Sequence, residues 1–443
     1  MTHRYWLTAL AGCGFLSAAA SAIAAEQTEV ERGEYLARAG DCVACHTAPD
    51  GKSFAGGLAI DSPFGTIYST NITPDPETGI GNYSRDDFAA AVREGVRADG
   101  AKLYPAMPYP SYAKISDEDI DALYAYFMQG VEPVDASPSE SDLDFPFNQR
   151  WGIAVWNWLF ADAEAFEPKD GQSEQVARGA YLVEGLGHCG SCHTPRGLFY
   201  QEKALDDSDE DYLAGESLGG WWAPNLRGGE GDDAGDAHGL QNWSADDIVA
   251  YLATGRNDHS AVTGEMTSVV ANSTSHLSDE DLQAIAAYLK SVPRQDGDEE
   301  TTESDSTPEQ TEQMLTAGEV EDKPGARLYL DNCNACHFAN GQGAAQVFPS
   351  LVDNELVNAD DPTGLIHVIL DGARLPSTPD KPEALAMPAF DWRLSDDEAA
   401  QLATFVRGAW GNHAGEVSAD QVADVRENLP EERVRSSKPD FQD

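Results

Sequence analysis

The sequence predicts an all-α protein built from three tandem helical domains, on three observations. Cysteine pairs of identical spacing begin at Cys42, Cys189 and Cys333, at intervals of 147 and 144 residues, the mark of a repeated unit. Ser116-Asp117-Glu118-Asp119, Ser278-Asp279-Glu280-Asp281 and Ser395-Asp396-Asp397-Glu398 each put a hydroxyl at a helix N-cap and acid in the first turn, with Glu398 completing a capping box. Apolar residues then recur at helical spacing: Ile120, Leu123, Tyr124 and Phe127, then Leu282, Ile285, Ala286 and Leu289, then Leu402, Phe405 and Val406. With 443 residues, 41% of them apolar, the chain is long enough for several domains with real cores.

Taken in order, residues 1–25 read as an export signal: His3 and Arg4 precede an apolar run that ends in Ala22-Ile23-Ala24-Ala25. Leu10-Ala11-Gly12-Cys13 also has the shape of a lipoprotein cleavage box, and the run is nearly long enough to remain as an anchor. The apolar stretch after Cys13, where a lipidated cysteine would need a polar tether, favours the cleaved signal. The three domains are expected at 26–130, 177–293 and 323–412. Each opens with a short helix, carrying Arg32-Gly33-Glu34-Tyr35-Leu36, Arg178-Gly179-Ala180-Tyr181-Leu182 or Gly325-Ala326-Arg327-Leu328-Tyr329, that runs into its cysteine pair. A middle helix follows, around Asp86 to Glu94, Asp246 to Ala253 or Leu365 to Leu370, then a loop and the closing helix. The segment 131–176 is rich in aromatics, including Phe145, Phe147, Trp151, Trp156 and Trp158, which points to packing between the first two domains, with a docking surface as the alternative. Residues 294–322 are acidic and polar and read as a flexible tether. The tail, 413–443, is polar with no evident apolar face.

A net charge of −49 excludes nucleic acid as a partner, because phosphate binding needs the opposite sign. So much acid suits life in high salt, where screening shortens the repulsion between carboxylates.

Cys42-Val43-Ala44-Cys45-His46, Cys189-Gly190-Ser191-Cys192-His193 and Cys333-Asn334-Ala335-Cys336-His337 match C-x-x-C-H, the pattern of covalent haem attachment. Two thiols about one helical turn apart add across the two vinyl groups of the macrocycle, and the adjacent histidine directs its imidazole at iron. Zinc would need four ligands where each cluster offers three, a redox dithiol does not require the histidine, and disulfides explain none of the histidines. Three covalent haem c groups are therefore expected, bound through Cys42, Cys45, Cys189, Cys192, Cys333 and Cys336, with His46, His193 and His337 on iron.

Methionine opposite histidine raises a haem potential. Met107, Met266 and Met387 lie 50 to 73 residues after the histidine of their own segment, in a loop before the closing helix, and are the expected sixth ligands. Met107-Pro108 and Met387-Pro388 share a proline that stiffens the loop. His259 and His276 are the fallback for the middle site, since Thr267 follows Met266. Met128 fits core packing in a helix, and Met314 fits exposure in the acidic segment.

Phe64-Gly65-Thr66-Ile67-Tyr68-Ser69-Thr70-Asn71-Ile72-Thr73-Pro74-Asp75, Gly79-Ile80-Gly81, Leu103-Tyr104-Pro105-Ala106-Met107-Pro108-Tyr109 and Phe145-Pro146-Phe147-Asn148-Gln149-Arg150 resemble the cytochrome c subunit of bacterial membrane-bound dehydrogenases for alcohols, aldehydes, gluconate and related polyols. The resemblance is strong over about 31–200 and weaker in the third domain beyond its haem motif and Met387. It implies three class I cytochrome c domains, a periplasmic location, a separate flavin or quinoprotein subunit that oxidises substrate, and ubiquinone or another membrane acceptor. The chain departs from that pattern in its acidity, in the insertions Asp206 to Asp211 and Gly228 to Asp236, and in a polar tail that argues against membrane attachment through the C-terminus. Peripheral membrane association stays compatible with it.

The function expected is electron transfer as a dehydrogenase subunit, in which the cofactor performs the chemistry and the chain needs no substrate site of its own. An independent periplasmic shuttle to a terminal oxidase is the alternative. A multihaem peroxidase would require an open sixth position, against which three available methionines stand.

Overall fold

The computed structural model describes residues 27–161, 164–229, 239–294 and 306–429; the export signal with Cys13, most of the insertion at 228–236 and the last part of the tail lie outside them. The chain divides into two compact units, the first ending at Phe166 and the second beginning at Glu167. Among the described residues no helix is long and apolar enough to cross a membrane.

One helix pair occurs three times, and a glycine sits where the two helices of each pair cross. In the first unit a helix over 27–39 meets Asp117–Ala125, and a Cβ on Gly33 would stand 1.9 Å from the Ala122 carbonyl oxygen. In the second unit Glu174–Ala180 meets Asp279–Leu289, with Gly179 equally close to the Ala284 carbonyl oxygen. There too Pro324–Asn332 meets Asp396–Gly408, with Gly325 facing the Gln401 carbonyl at 2.2 Å. Glycine is required because the backbones approach closer than any side chain allows. The three closing helices start as their sequences predict: the Ser116, Ser278 and Ser395 side chains accept from the N–H groups of Asp119, Asp281 and Glu398. Ile120, Leu123, Leu282, Ile285, Leu289, Leu402 and Val406 are buried behind them. The middle helices form at Arg85–Glu94, Ala245–Thr254 and Thr363–Asp371.

The opening helices reach their cysteines differently. The first is followed by Asp41 in the left-handed region, at φ 47°. The second widens into a π-helical turn over Tyr181–Leu186 and is followed by left-handed His188, at φ 37°. The third runs directly into Cys333.

Helices dominate, but the all-α expectation misses three small sheets among the described residues. Ala59–Ser62 pairs with Gly65–Tyr68, which also pairs with Asp142–Leu143. Glu216–Leu218 pairs with Trp221–Ala223 across a Gly219-Gly220 turn, both glycines at positive φ, as tight hairpin turns require. Ala373–Arg374 pairs with Ala386–Met387.

Two segments differ from their sequence reading. The tether expected over 294–322 does not describe its second half. Pro308–Ala317 is a helix with a Thr307/Gln310 capping box, and Leu315 and Val320 enter the hydrophobic core around Leu402 and Trp410. Part of the tail is likewise ordered: Ala419–Glu427 is a helix that buries Val422 and Val425 in the same core. Both segments look polar because only one narrow stripe of each is apolar. In the aromatic segment Trp151–Phe160 forms a helix whose Ile153 is buried, while Asn157 accepts a 2.6 Å hydrogen bond from Tyr109. Trp151 and Trp158 on that helix are 72% and 78% exposed.

Candidate haem sites

Each C-x-x-C-H motif is wound into one helical turn. His46 N donates to Cys42 O, His193 N to Cys189 O and His337 N to Cys333 O, each at 3.0 Å. The two thiols of a pair and their histidine thus stand on a single short turn, the arrangement that two thioethers and an iron ligand need.

Each histidine is anchored at both ends. Its imidazole Nδ1 faces a backbone carbonyl: His46 to Thr70 at 2.7 Å, His193 to Pro224 at 2.7 Å and His337 to Pro349 at 3.0 Å. A carbonyl only accepts, so Nδ1 carries the proton and Nε2 keeps its lone pair. No partner for any of the three Nε2 atoms is found among the described residues. On the other side Gly56, Gly215 and Gly343, all at positive φ, donate their N–H to the carbonyls of His46, His193 and His337. Burial lowers the pKa of all three imidazoles, opposed by the carbonyl contact, so they are held neutral, as iron ligation requires. Burial also pushes the Cys42, Cys189 and Cys333 thiols up to about 12, with the neighbouring Asp41 adding to the effect at Cys42.

The carbonyl partners Thr70, Pro224 and Pro349 escape sequence reasoning because a backbone group has no side-chain signature. A signal does accompany them: each is followed by a short polar residue and then Ile or Leu. Asn71 Oδ1, Asn225 Oδ1 and Ser350 Oγ each accept from the N–H two residues on, at 2.9, 2.8 and 3.1 Å, and so turn the chain away after the carbonyl.

The methionines arrive on dissimilar elements. Met107 lies in a turn, its N–H bonded to Tyr104 O, just before the short helix Tyr109–Tyr112. Tyr112 in that helix donates to Gly40 O at 2.9 Å, which sets the segment against the first attachment turn. Met266 is not in a loop but opens the helix Met266–Asn272, packed near Val262 and Val270. Burial raises the Cys192 thiol, Arg196 opposes the rise, and Glu202 and Glu265 add to it, which brings the residue before Met266 within electrostatic reach of the second site. Met387 lies in a two-residue strand opposite Ala373. All three methionines are part-buried. The fallback histidines are engaged elsewhere: His259 stacks on Trp243 and its Nε2 lies 3.4 Å from Asp247, while His276 Nε2 lies 3.1 Å from Ala271 O. Met128 is part-buried in a π-helical turn, as core packing predicts, whereas Met314 is not merely exposed but packs against the core of the last helix pair.

The comparisons with known proteins agree with this chemistry. A family model described as "Cytochrome c" matches residues 30–130 and 176–293, and one described as "Cytochrome C oxidase, cbb3-type, subunit III" matches 320–406. The chain is 50% identical to the gluconate 2-dehydrogenase cytochrome c subunit of Pantoea cypripedii, over 90% of each protein. It is 48% identical to the cytochrome c subunit of the quinone-type alcohol dehydrogenase of Gluconobacter oxydans, over 92% of this chain and 84% of that one. It is 39% identical to the fructose dehydrogenase cytochrome subunit of Gluconobacter japonicus, over 91% and 83%. Cytochrome c domains imply covalently bound haem c, and the thiol pairs with neutral, Nδ1-anchored imidazoles fit it.

Proposed function

Since the chain belongs to the family of cytochrome c subunits of gluconate, alcohol and fructose dehydrogenases, we propose that it is a periplasmic electron carrier with three haem c groups, taking electrons from a separate flavin or quinoprotein dehydrogenase subunit and passing them to ubiquinone or another respiratory acceptor. The observation that carries the count of three is the repeated histidine geometry, Nδ1 on a carbonyl and the backbone oxygen on a glycine N–H, at His46, His193 and His337 alike. Bound haem supplies a one-electron ferric–ferrous couple. The chain's own residues do the rest. Cys42 with Cys45, Cys189 with Cys192 and Cys333 with Cys336 would hold the three haems through thioethers, with His46, His193 and His337 and the sulfurs of Met107, Met266 and Met387 as the iron ligands.

Intact-mass measurement of the exported protein tests the count: three haem masses are expected, and fewer overturn it. Met107→Ala, Met266→Ala and Met387→Ala should each remove part of the sulfur-to-iron charge-transfer absorption. An unchanged band in all three overturns the ligand assignment. Affinity purification from the native periplasm should bring a dehydrogenase with the chain, and its absence would favour an independent shuttle.

A further inference from the structure

Within the second unit the hairpin Glu216–Leu218 and Trp221–Ala223 grows out of one attachment site and ends beside another. At its base the N–H of Gly215 donates to His193 O at 2.8 Å, and the carbonyl of Pro224, just past the second strand, accepts a hydrogen bond from His193 Nδ1 at 2.7 Å. At its tip Trp221 stacks on His367, ring centroids 4.7 Å apart and planes at 26°. Ser217 Oγ donates to Asp361 beside them. His367 belongs to Thr363–Asp371, the helix that braces the third methionine: Phe390 N donates to Ile369 O at 3.1 Å, and Ala373, just past the helix, pairs with Met387. The His367 Nδ1 is buried with no hydrogen-bond partner among the described residues, so stacking rather than a polar bond locates the ring. Trp221 also meets the second methionine's segment: a Cβ on Gly264, two residues before Met266, would stand 2.5 Å from the indole. In the first unit the hairpin strand Gly65–Tyr68 pairs with Asp142–Leu143, and Phe64 packs on Phe147.

We propose that the Trp221–His367 stack is the positioning contact for electron exchange between the second and third haems. It fixes the hairpin that holds His193 against the helix that braces Met387, and so sets the separation and relative motion of the two sites. The inference rests on the three-haem reading above. In the step concerned one electron leaves the reduced iron of one site and is taken up by the oxidised iron of the other, and no bond forms or breaks. Trp221 and His367 exchange no electron themselves; they act through the segments they lock together.

The test uses the exported, haem-loaded chain and five variants: Trp221→Leu, His367→Leu, their double variant, Trp221→Phe, and Ser217→Ala as a control. Flash photoreduction follows redistribution of an electron among the haems, and hydrogen exchange follows the hairpin amides, a readout that needs no turnover. Each leucine variant should slow exchange between the second and third haems about tenfold. The double variant should be no slower than either single one, because both remove one contact, while Trp221→Phe and Ser217→Ala stay within about twofold of the parent. The hairpin amides should exchange faster in both leucine variants. Three haems with unchanged spectra and both leucine variants within about twofold of the parent overturn this inference alone, as does equal slowing in Ser217→Ala. A parent protein carrying fewer than three haems overturns the proposed function with it.

Discussion

Arg178 grips Asp281 with both arms of its guanidinium, Nε 2.8 Å from Oδ1 and Nη2 2.8 Å from Oδ2. The pair ties the opening helix of the second copy to the first turn of its closing helix, and Arg32 does the same with Asp119 in the first. The third copy has Pro324 where the arginine would stand, and Glu398 instead accepts from its own N-cap, Ser395.

Asp281 is buried, so its two charge-assisted bonds are worth more than a surface pair. Asp281→Ala should lower stability by about 1 to 3 kcal/mol. A double-variant cycle with Arg178→Ala, followed by thermal unfolding, should show strong coupling between the two. Additive losses would mean that each side chain acts through other partners.

The crossing glycines should tolerate no methyl group. Gly33→Ala, Gly179→Ala and Gly325→Ala drive a Cβ into a carbonyl oxygen and should each cost about 1 to 3 kcal/mol in unfolding measurements. Gly408→Ala, at the end of a closing helix with open space around it, should instead gain up to about 1 kcal/mol from helix propensity. The opposite signs separate close approach from the general effect of glycine.

Burial raises the Glu355 carboxyl to about 8, opposed by the Gly239 N–H and reinforced by Asp353. From the ordinary 4.5 up to about 8 the folded chain therefore keeps a proton that the unfolded chain has released. Stability falls as pH rises through that window, by up to roughly 1.4 kcal/mol per pH unit, and levels off above it. Glu355→Gln, which can still accept from Gly239, should flatten this slope and be the more stable form at about pH 8. Unfolding of both proteins at about pH 5 and about pH 8 checks it; equal slopes would show that the carboxyl is already ionised.

Leu315 is 3% exposed and lies in the segment whose composition suggests a tether. Leu315→Ala should cost about 2 to 5 kcal/mol, as for any core leucine. Val422→Ala in the tail helix should destabilise the same unit. A tether or a loose tail would show no change in either melting curve.

What was legible in the sequence is chemistry carried by side chains. C-x-x-C-H, the serine caps and the apolar spacing of the closing helices all leave residues that declare themselves. The carbonyls of Thr70, Pro224 and Pro349 do not, because any residue supplies one. The hairpin at 216–223 was missed because three-residue strands are too short to show alternation. At 294–322 overall acidity outweighed a local signal: Thr307-Pro308-Glu309-Gln310 is a capping box with proline at its first turn. Ser418 and Gln421 form the same device ahead of Val422 and Val425. Composition averages over both faces of a helix, whereas folding uses one of them.

From crossing glycine to first attachment cysteine the three copies count nine, ten and eight residues. The shortest helix meets Cys333 directly, left-handed Asp41 lengthens the next, and the longest carries both left-handed His188 and the widened turn at Tyr181–Leu186. The slack is taken up between two fixed anchor points, so an ungapped superposition of the copies would misregister at least two of them. Grafting one of these attachment motifs onto another helix pair would succeed only if its own spacer travelled with it.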